Sequence, residues 1–261
     1  MKNGRRWFAA VLLAGMLLLP GGAARAEEKE MHSTTVMVYL CGSDLESRFG
    51  AATDDIREMA ASRFDSRYTT VLIMAGGARA WKSGQDAKKT AIIELGAHGM
   101  RKVQSSEEPM NMADAATLKA FLEYGYAQYP TERHALILWG HGGGPEEGLF
   151  ADELHGEDSL TLDEIRTALS EGIPAGEKLE WIGFDACLMA SEETARAVED
   201  YADFLIASQE REDISGWNYS FLKGLEEDAD GGETGQRIIE AYAADTAEEQ
   251  EEKTLECIRL R

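Results

Sequence analysis

Six apolar runs of strand length, set between stretches with helical spacing, constrain this chain more than anything else in it. They are residues 34–41, 70–75, 90–95, 134–139, 179–184 and 203–208. The run 34–41 has no Asn or Asp, as expected of a strand buried on both faces. Between the runs, Ile56, Met59 and Ala60 recur at helical spacing, as do Leu118, Phe121, Leu122 and Tyr126. Thr161 with Glu164 predicts a capping box at the start of a further helix. Helices are also expected over 188–201, 219–225 and 235–253. Residues 142–159, Gly-rich and then acidic, read as a loop. Strands alternating with helices define an α/β chain with a mostly parallel six-stranded central sheet and helices on both faces.

In such sheets ligands bind beyond the carboxyl ends of the strands. Two of the six runs end there on a reactive side chain. Residues 134–139 lead into Gly140-His141-Gly142-Gly143-Gly144, and residues 179–184 lead into Asp185-Ala186-Cys187. A thiol attacks well only as thiolate, and an unperturbed cysteine is mostly protonated near neutral pH. An imidazole beside it takes the proton and can later return one to a leaving amine. His141 and Cys187 are therefore the candidate base and nucleophile. Cys187 is expected to start a helix whose positive end favours the anion. The backbone N–H groups of Gly142 and Cys187 are candidate donors to an oxyanion. Asp185, two residues before Cys187, would point the same way along an extended chain. Its carboxylate suits the guanidinium or ammonium of a basic substrate residue. Glu210 and Asp213 could add negative potential nearby, and Trp217 is read as a wall of the pocket.

The first 26 residues combine Lys2, Arg5 and Arg6, an apolar run over 7–19, and Ala24-Arg25-Ala26. That pattern is a Sec-type signal peptide cut after Ala26, so an exported chain is expected, with 27–261 as one domain. The apolar run is short for a membrane span. No stable insertion is expected after cleavage. The formal charge is −22, and losing the four basic residues of the signal deepens it to −26. Such a surface repels nucleic acid and favours cationic partners. Three cysteines, Cys41, Cys187 and Cys257, are an odd number for an exported chain. A disulfide framework is not expected. Cys41 ends an apolar strand and reads as core.

His141, Asp152, Glu153, His155 and Glu157 could together hold a metal. No tight ligand motif is present, so no metal is assigned and these acids read as a solvated loop. Calcium stays open, because oxygen-rich loops suit it.

Trp139-Gly-His141-Gly-Gly-Gly and Asp185-Ala-Cys187-Leu-Met-Ala resemble the clostripain family of cysteine peptidases. The resemblance extends over about 36–225. It includes Asp44-Leu-Glu, Leu160-Thr-Leu-Asp-Glu-Ile, Ala207-Ser-Gln-Glu and Gly216-Trp217. It implies a caspase-like three-layer α/β/α sandwich and a His141–Cys187 dyad. It also implies cleavage after Arg or Lys, with Asp185 in the primary specificity pocket. Some members depend on calcium; no cofactor is required by the residues themselves. Family members often carry Glu-Glu-x-x-Pro-Gly before the Gly-Trp, where this chain has Gln209-Glu-Arg-Glu-Asp-Ile-Ser-Gly-Trp217. The loop bordering the pocket is therefore expected to differ in shape. Between His141 and Cys187 the basic residues are Arg166 and Lys178, and 142–159 has none. A single-chain, monomeric enzyme is expected. The chain stops at Arg261, short of most relatives, so C-terminal elements are expected to be missing. Two rivals remain open: a transpeptidase or ligase using the same dyad, and an inactive caspase-like module that binds basic peptides.

Overall fold

The strand–helix alternation folds into one sheet with helices on both faces. A computed structural model describes residues 33–225, 230–245 and 254–261. The expected signal peptide lies outside them. In chain order the elements are β1 (Thr34–Cys41), a π-helical turn (Leu45–Phe49), α1 (Ala51–Ala61), β2 (Thr69–Gly76), β3 (Ala91–Gly96), β4 (Gly99–Ser105), α2 (Ala115–Gln128) and β5 (Arg133–Trp139). There follow a one-turn α3 (Gly144–Glu147), β6 (Leu149–Asp152), β7 (Asp158–Leu160), α4 (Leu162–Gly172), β8 (Leu179–Asp185), α5 (Glu192–Val198) and β9 (Ala202–Ser208). A 3₁₀ turn (Tyr219–Leu222), α6 (Gly231–Asp245) and β10 (Leu255–Arg259) complete the described chain.

The sheet has eight strands in the order β10-β9-β8-β5-β1-β2-β3-β4, where six were expected. The five central strands, β9 to β2, run parallel, while β10, β3 and β4 join antiparallel. The two unexpected strands are the two edges. β4 reads Gly-Met-Arg-Lys-Val-Gln-Ser and is largely exposed, so it lacks the apolar run that marks an inner strand. β10 places Cys257 in the sheet opposite Ile206. The stretch read as a loop also gains structure, because β6 and β7 form a small hairpin.

Burial follows the two-residue period of the strands. From β1, Met37, Tyr39 and Cys41 pack on one face with Phe121, Leu122, Ile165 and Leu169 of α2 and α4. Val36, Val38 and Leu40 pack on the other with Ile56 and Met59 of α1 and Ile238 of α6. All eight β1 residues are buried. The capping box forms as expected: the Thr161 hydroxyl accepts from the Glu164 N–H, and the Glu164 carboxylate accepts from the Thr161 N–H.

Strand order reverses between β1 and β5, so a crevice opens between their carboxyl ends. Register then fixes what lies there. Trp139, the last residue of β5, stands opposite Asp185, the last of β8. The Gly140 N–H continues the ladder to the Asp185 carbonyl at 3.2 Å. His141 and Cys187 each follow two residues beyond that matched pair.

Candidate active site

One small cleft of about 60 Å3 is lined by Trp139, His141, Asp185, Cys187, Glu212 and Gly216, among others. It sits beyond the carboxyl ends of β5 and β8. The backbones beneath the two reactive side chains are in close contact. A methyl group on Gly142 would stand 2.0 Å from the Cys187 carbonyl oxygen and 2.9 Å from its nitrogen, so only glycine fits. Among the described residues, neither the Gly142 N–H nor the Cys187 N–H donates to another protein atom. Two unspent donors on adjoining backbones form a nest open to a developing oxyanion.

The imidazole is oriented by a residue that follows β1. His141 Nε2 lies 2.7 Å from Asp44 Oδ1. That bond holds the Asp44 carboxyl below its ordinary pKa, with help from Arg48. It makes Nε2 the protonated nitrogen of the neutral ring and leaves Nδ1 as the acceptor. Asp44 was visible in the sequence as part of Asp44-Leu-Glu. It stands at the N-cap of the π-helical turn, makes no side-chain cap there, and gives its carboxylate to His141 and Arg48.

The thiol meets the loop after β9. The Glu212 N–H points at Cys187 Sγ at 3.4 Å, and the Glu212 carbonyl lies 3.8 Å from the same sulfur. The expected helix dipole at Cys187 is not there. Leu188 adopts φ +65°, the chain turns, and α5 begins at Glu192 under a Ser191 cap. Any stabilisation of a thiolate must therefore come from His141 and the nearby N–H groups.

Asp185 forms the floor. It is 4% exposed and accepts from the Tyr219 hydroxyl at 2.7 Å and the Trp217 N–H at 3.2 Å. Burial raises its pKa to about 7, and the bonds from Tyr219, Glu212 and Trp217 keep it from rising further. The Glu212 carboxyl reaches Asp185 closely enough to share a proton, and burial and that neighbour push its pKa up. Glu212 Oε2 is buried and receives no donor from the described residues. Asp55 of α1 adds a third buried carboxyl, raised by burial and then by Asp185. It accepts from Trp139 Nε1 at 2.7 Å. Among the described residues no basic side chain pairs with these three acids.

Of the remaining expected residues, Asp213 lines the cleft, whereas Glu210 is exposed and lies outside it. Trp217 is 1% exposed, packs over Gly183 in the core, and holds Glu212 Oε1 through its indole N–H. It supports the pocket from behind. The acids read as a solvated loop are partly internal. Asp152 is fully buried and accepts from the Met112 and Leu154 N–H groups. No group of three or more His, Cys, Asp or Glu side chains placed to hold a metal occurs among the described residues. Cys41 is buried in the core, and all three cysteines are unbridged.

A three-layer sandwich with an imidazole and a thiol at adjacent strand ends is the arrangement of the caspase-like cysteine peptidases. Within that class, residues 38–260 match the clostripain family, peptidase C11, and the chain belongs to it. It is 25% identical over 195 residues to clostripain of Hathewaya histolytica, covering 64% of this chain and 36% of that protein. The chain thus spans about a third of that relative's length. Its fold is similar to a secreted C11 cysteine protease from Bacteroides thetaiotaomicron in complex with an irreversible peptide inhibitor (TM-score 0.67, 23% identity, 83% of this chain and 59% of that one). It is likewise similar to an inactive zymogen C11 protease from Parabacteroides distasonis (TM-score 0.66, 21% identity, 88% and 62%).

Two outcomes follow from this geometry. Asp185 is raised in the folded chain, so its contribution to stability is present below the ordinary carboxylate pKa and lost as pH rises through about 7. Asp185→Asn is expected to raise the thermal midpoint over wild type at about pH 8, with a smaller gain at about pH 4, by scanning calorimetry. If the Gly142 N–H serves as the oxyanion donor its position suggests, Gly142→Ala is expected to lower kcat by roughly 100-fold or more with little change in the circular dichroism spectrum, because the methyl would move that N–H away from Cys187.

Proposed function

We propose that this chain is an exported cysteine endopeptidase that cleaves polypeptides after Arg or Lys. The observation that carries the reading is the matched end of β5 and β8. It sets His141 and Cys187 beside a buried pair of carboxyls, Asp185 and Glu212, that has no basic partner among the described residues.

Each residue then has a step. The basic side chain before the scissile bond enters above Asp185 and draws it and Glu212 into ionisation. Burial favours this exchange, since a paired charge is tolerated in a low dielectric where a lone one is not. Asp44 fixes the ring so that His141 Nδ1 takes the Cys187 proton. The sulfur attacks the scissile carbonyl carbon, and its oxygen becomes an anion held by the Gly142 and Cys187 N–H groups. His141 returns the proton to the leaving amine as the C–N bond breaks, giving an acyl thioester. His141 next deprotonates a water, which attacks the thioester and releases the acid and the thiol.

The formal charge of −22 suits a basic polypeptide and opposes nucleic acid. The signal pattern of residues 1–26 supports export. Among the described residues no helix is long and apolar enough to cross a membrane. A monomer is part of the proposal. Single-chain action is too: of the two basic residues between His141 and Cys187, Arg166 lies within α4 paired with Asp163, and Lys178 stands just before β8 with its Nζ donating to the Glu199 carbonyl.

The test is a fluorogenic peptide panel varied at the residue before the cleaved bond, on wild type and Cys187→Ala. Turnover confined to Arg and Lys peptides, and lost in Cys187→Ala, is expected. No turnover of either by wild type would leave only a binding module, and a preference for acidic residues would remove the role given to Asp185.

A further inference from the structure

The amino end of β5 carries a second set of polar groups, remote from His141. His134 stands near the start of the strand, and the chain between it and His141 is extended over roughly 20 Å. Beside His134 opens a cavity of about 490 Å3. Small-ligand sites are commonly of that size. Its walls are the last turns of α2 and α4 and the turn that leads from α4 toward β8. Two helices thus end at one space, and the carboxyl end of a helix favours a cation.

The side chains add to that field. Glu123, Glu171 and Glu177 line the cavity, and no lysine or arginine is among the described residues that do. Lys119 reaches Glu171 at 3.0 Å, whereas Glu123 and Glu177 pair with no cation among the described residues. Acids alone would describe any solvated face, but the inner wall is built. Tyr126 and His134 stack there with ring centroids 4.1 Å apart. His134 is 6% exposed, and its Nε2 donates to the Tyr129 carbonyl at 3.1 Å. That leaves Nδ1 as the acceptor of the neutral ring, and no described group donates to it. Burial holds the pKa of this ring down, which keeps the lone pair free at neutral pH. The Tyr126 hydroxyl is likewise buried and without a partner. Glu177 is close enough for its charge to act on both groups. Ala127, Ile173 and Pro174 supply apolar wall beside them.

Hydroxyl, ring nitrogen and carboxylate all accept hydrogen bonds. Their complement is a flat cationic fork of N–H donors on an aliphatic stem. We propose that this cavity is a second cation site, in which an alkylguanidinium donates to Tyr126, His134 and Glu177. It is separate from the cleft at Cys187 and independent of the function proposed above. The guanidinium belongs to a free alkylguanidine or to an arginine residue of a polypeptide.

Calorimetric titration of the full chain tests the site and separates the two sources. The background is Cys187→Ala with Asp185→Asn, which neither cuts nor offers the carboxylate of the cleft. The probes are n-butylguanidine and the peptide acetyl-Ala-Arg-Ala-amide. Glu177→Gln, at an exposed position, is expected to weaken binding by about tenfold, and Tyr126→Phe, which removes only the hydroxyl, by about threefold. Glu107→Gln, an exposed acid after β4, is expected to stay within about twofold. Affinity for butylguanidine alone makes the occupant a free alkylguanidine; affinity for the peptide, with or without butylguanidine, makes it an arginine residue. Failure of both probes to bind overturns the proposal. So does affinity that Glu177→Gln leaves unchanged, or that Glu177→Gln and Glu107→Gln weaken equally. n-Butylamine, a compact ammonium on the same stem, is expected to bind more weakly than butylguanidine, and equal affinity would contradict the assignment of a guanidinium.

Discussion

The parallel register of β5 and β8 is the constraint from which the site follows. Pairing Trp139 with Asp185 aligns the last residues of two strands that are forty residues apart in the chain or more. A slip of one residue would turn every side chain of a strand to the opposite face. Trp139 would then leave Asp55, and Asp185 would leave Tyr219. Both faces of these strands are packed, so the core itself locks the register. Beyond the matched pair the chain needs only Gly142, whose missing side chain lets one turn lie directly on the other.

The second theme is a charge imbalance kept inside. Asp55, Asp185 and Glu212 share a buried region with hydrogen-bond donors from Trp139, Tyr219 and Trp217 but with no basic partner among the described residues. Such a cluster opposes folding near neutral pH, and better-packed apolar residues would remove that penalty. Its retention is intelligible if a cation arrives from outside. The same imbalance links specificity to protonation, because the pocket is charged only as its carboxyls ionise.

Much of this was legible beforehand, and the exceptions have physical reasons. The inner strands announced themselves by continuous apolar runs, and the His-Gly and Asp-Ala-Cys ends followed from them. The edge strands β4 and β10 did not, because an edge need not be apolar on both faces. The helix expected at Cys187 failed because Leu188 and Met189 look like a helical start, yet Leu188 takes a left-handed turn that delays α5 to Glu192. Glu212 was passed over for Glu210 and Asp213. In an irregular loop no periodicity tells which of three acids turns inward. Asp55 could have been found: a carboxylate on the apolar stripe of an amphipathic helix is a buried charge in want of a partner. Trp217, expected as a wall, is 1% exposed and holds Glu212 Oε1 through its indole N–H.

The account stands or falls on whether His141 and Cys187 act as a pair. The direct measurement is the rate of Cys187 alkylation by iodoacetamide at about pH 7, in wild type and in His141→Ala. Pairing predicts that the rate falls by about tenfold or more when the imidazole is removed. Equal rates in the two proteins would contradict it.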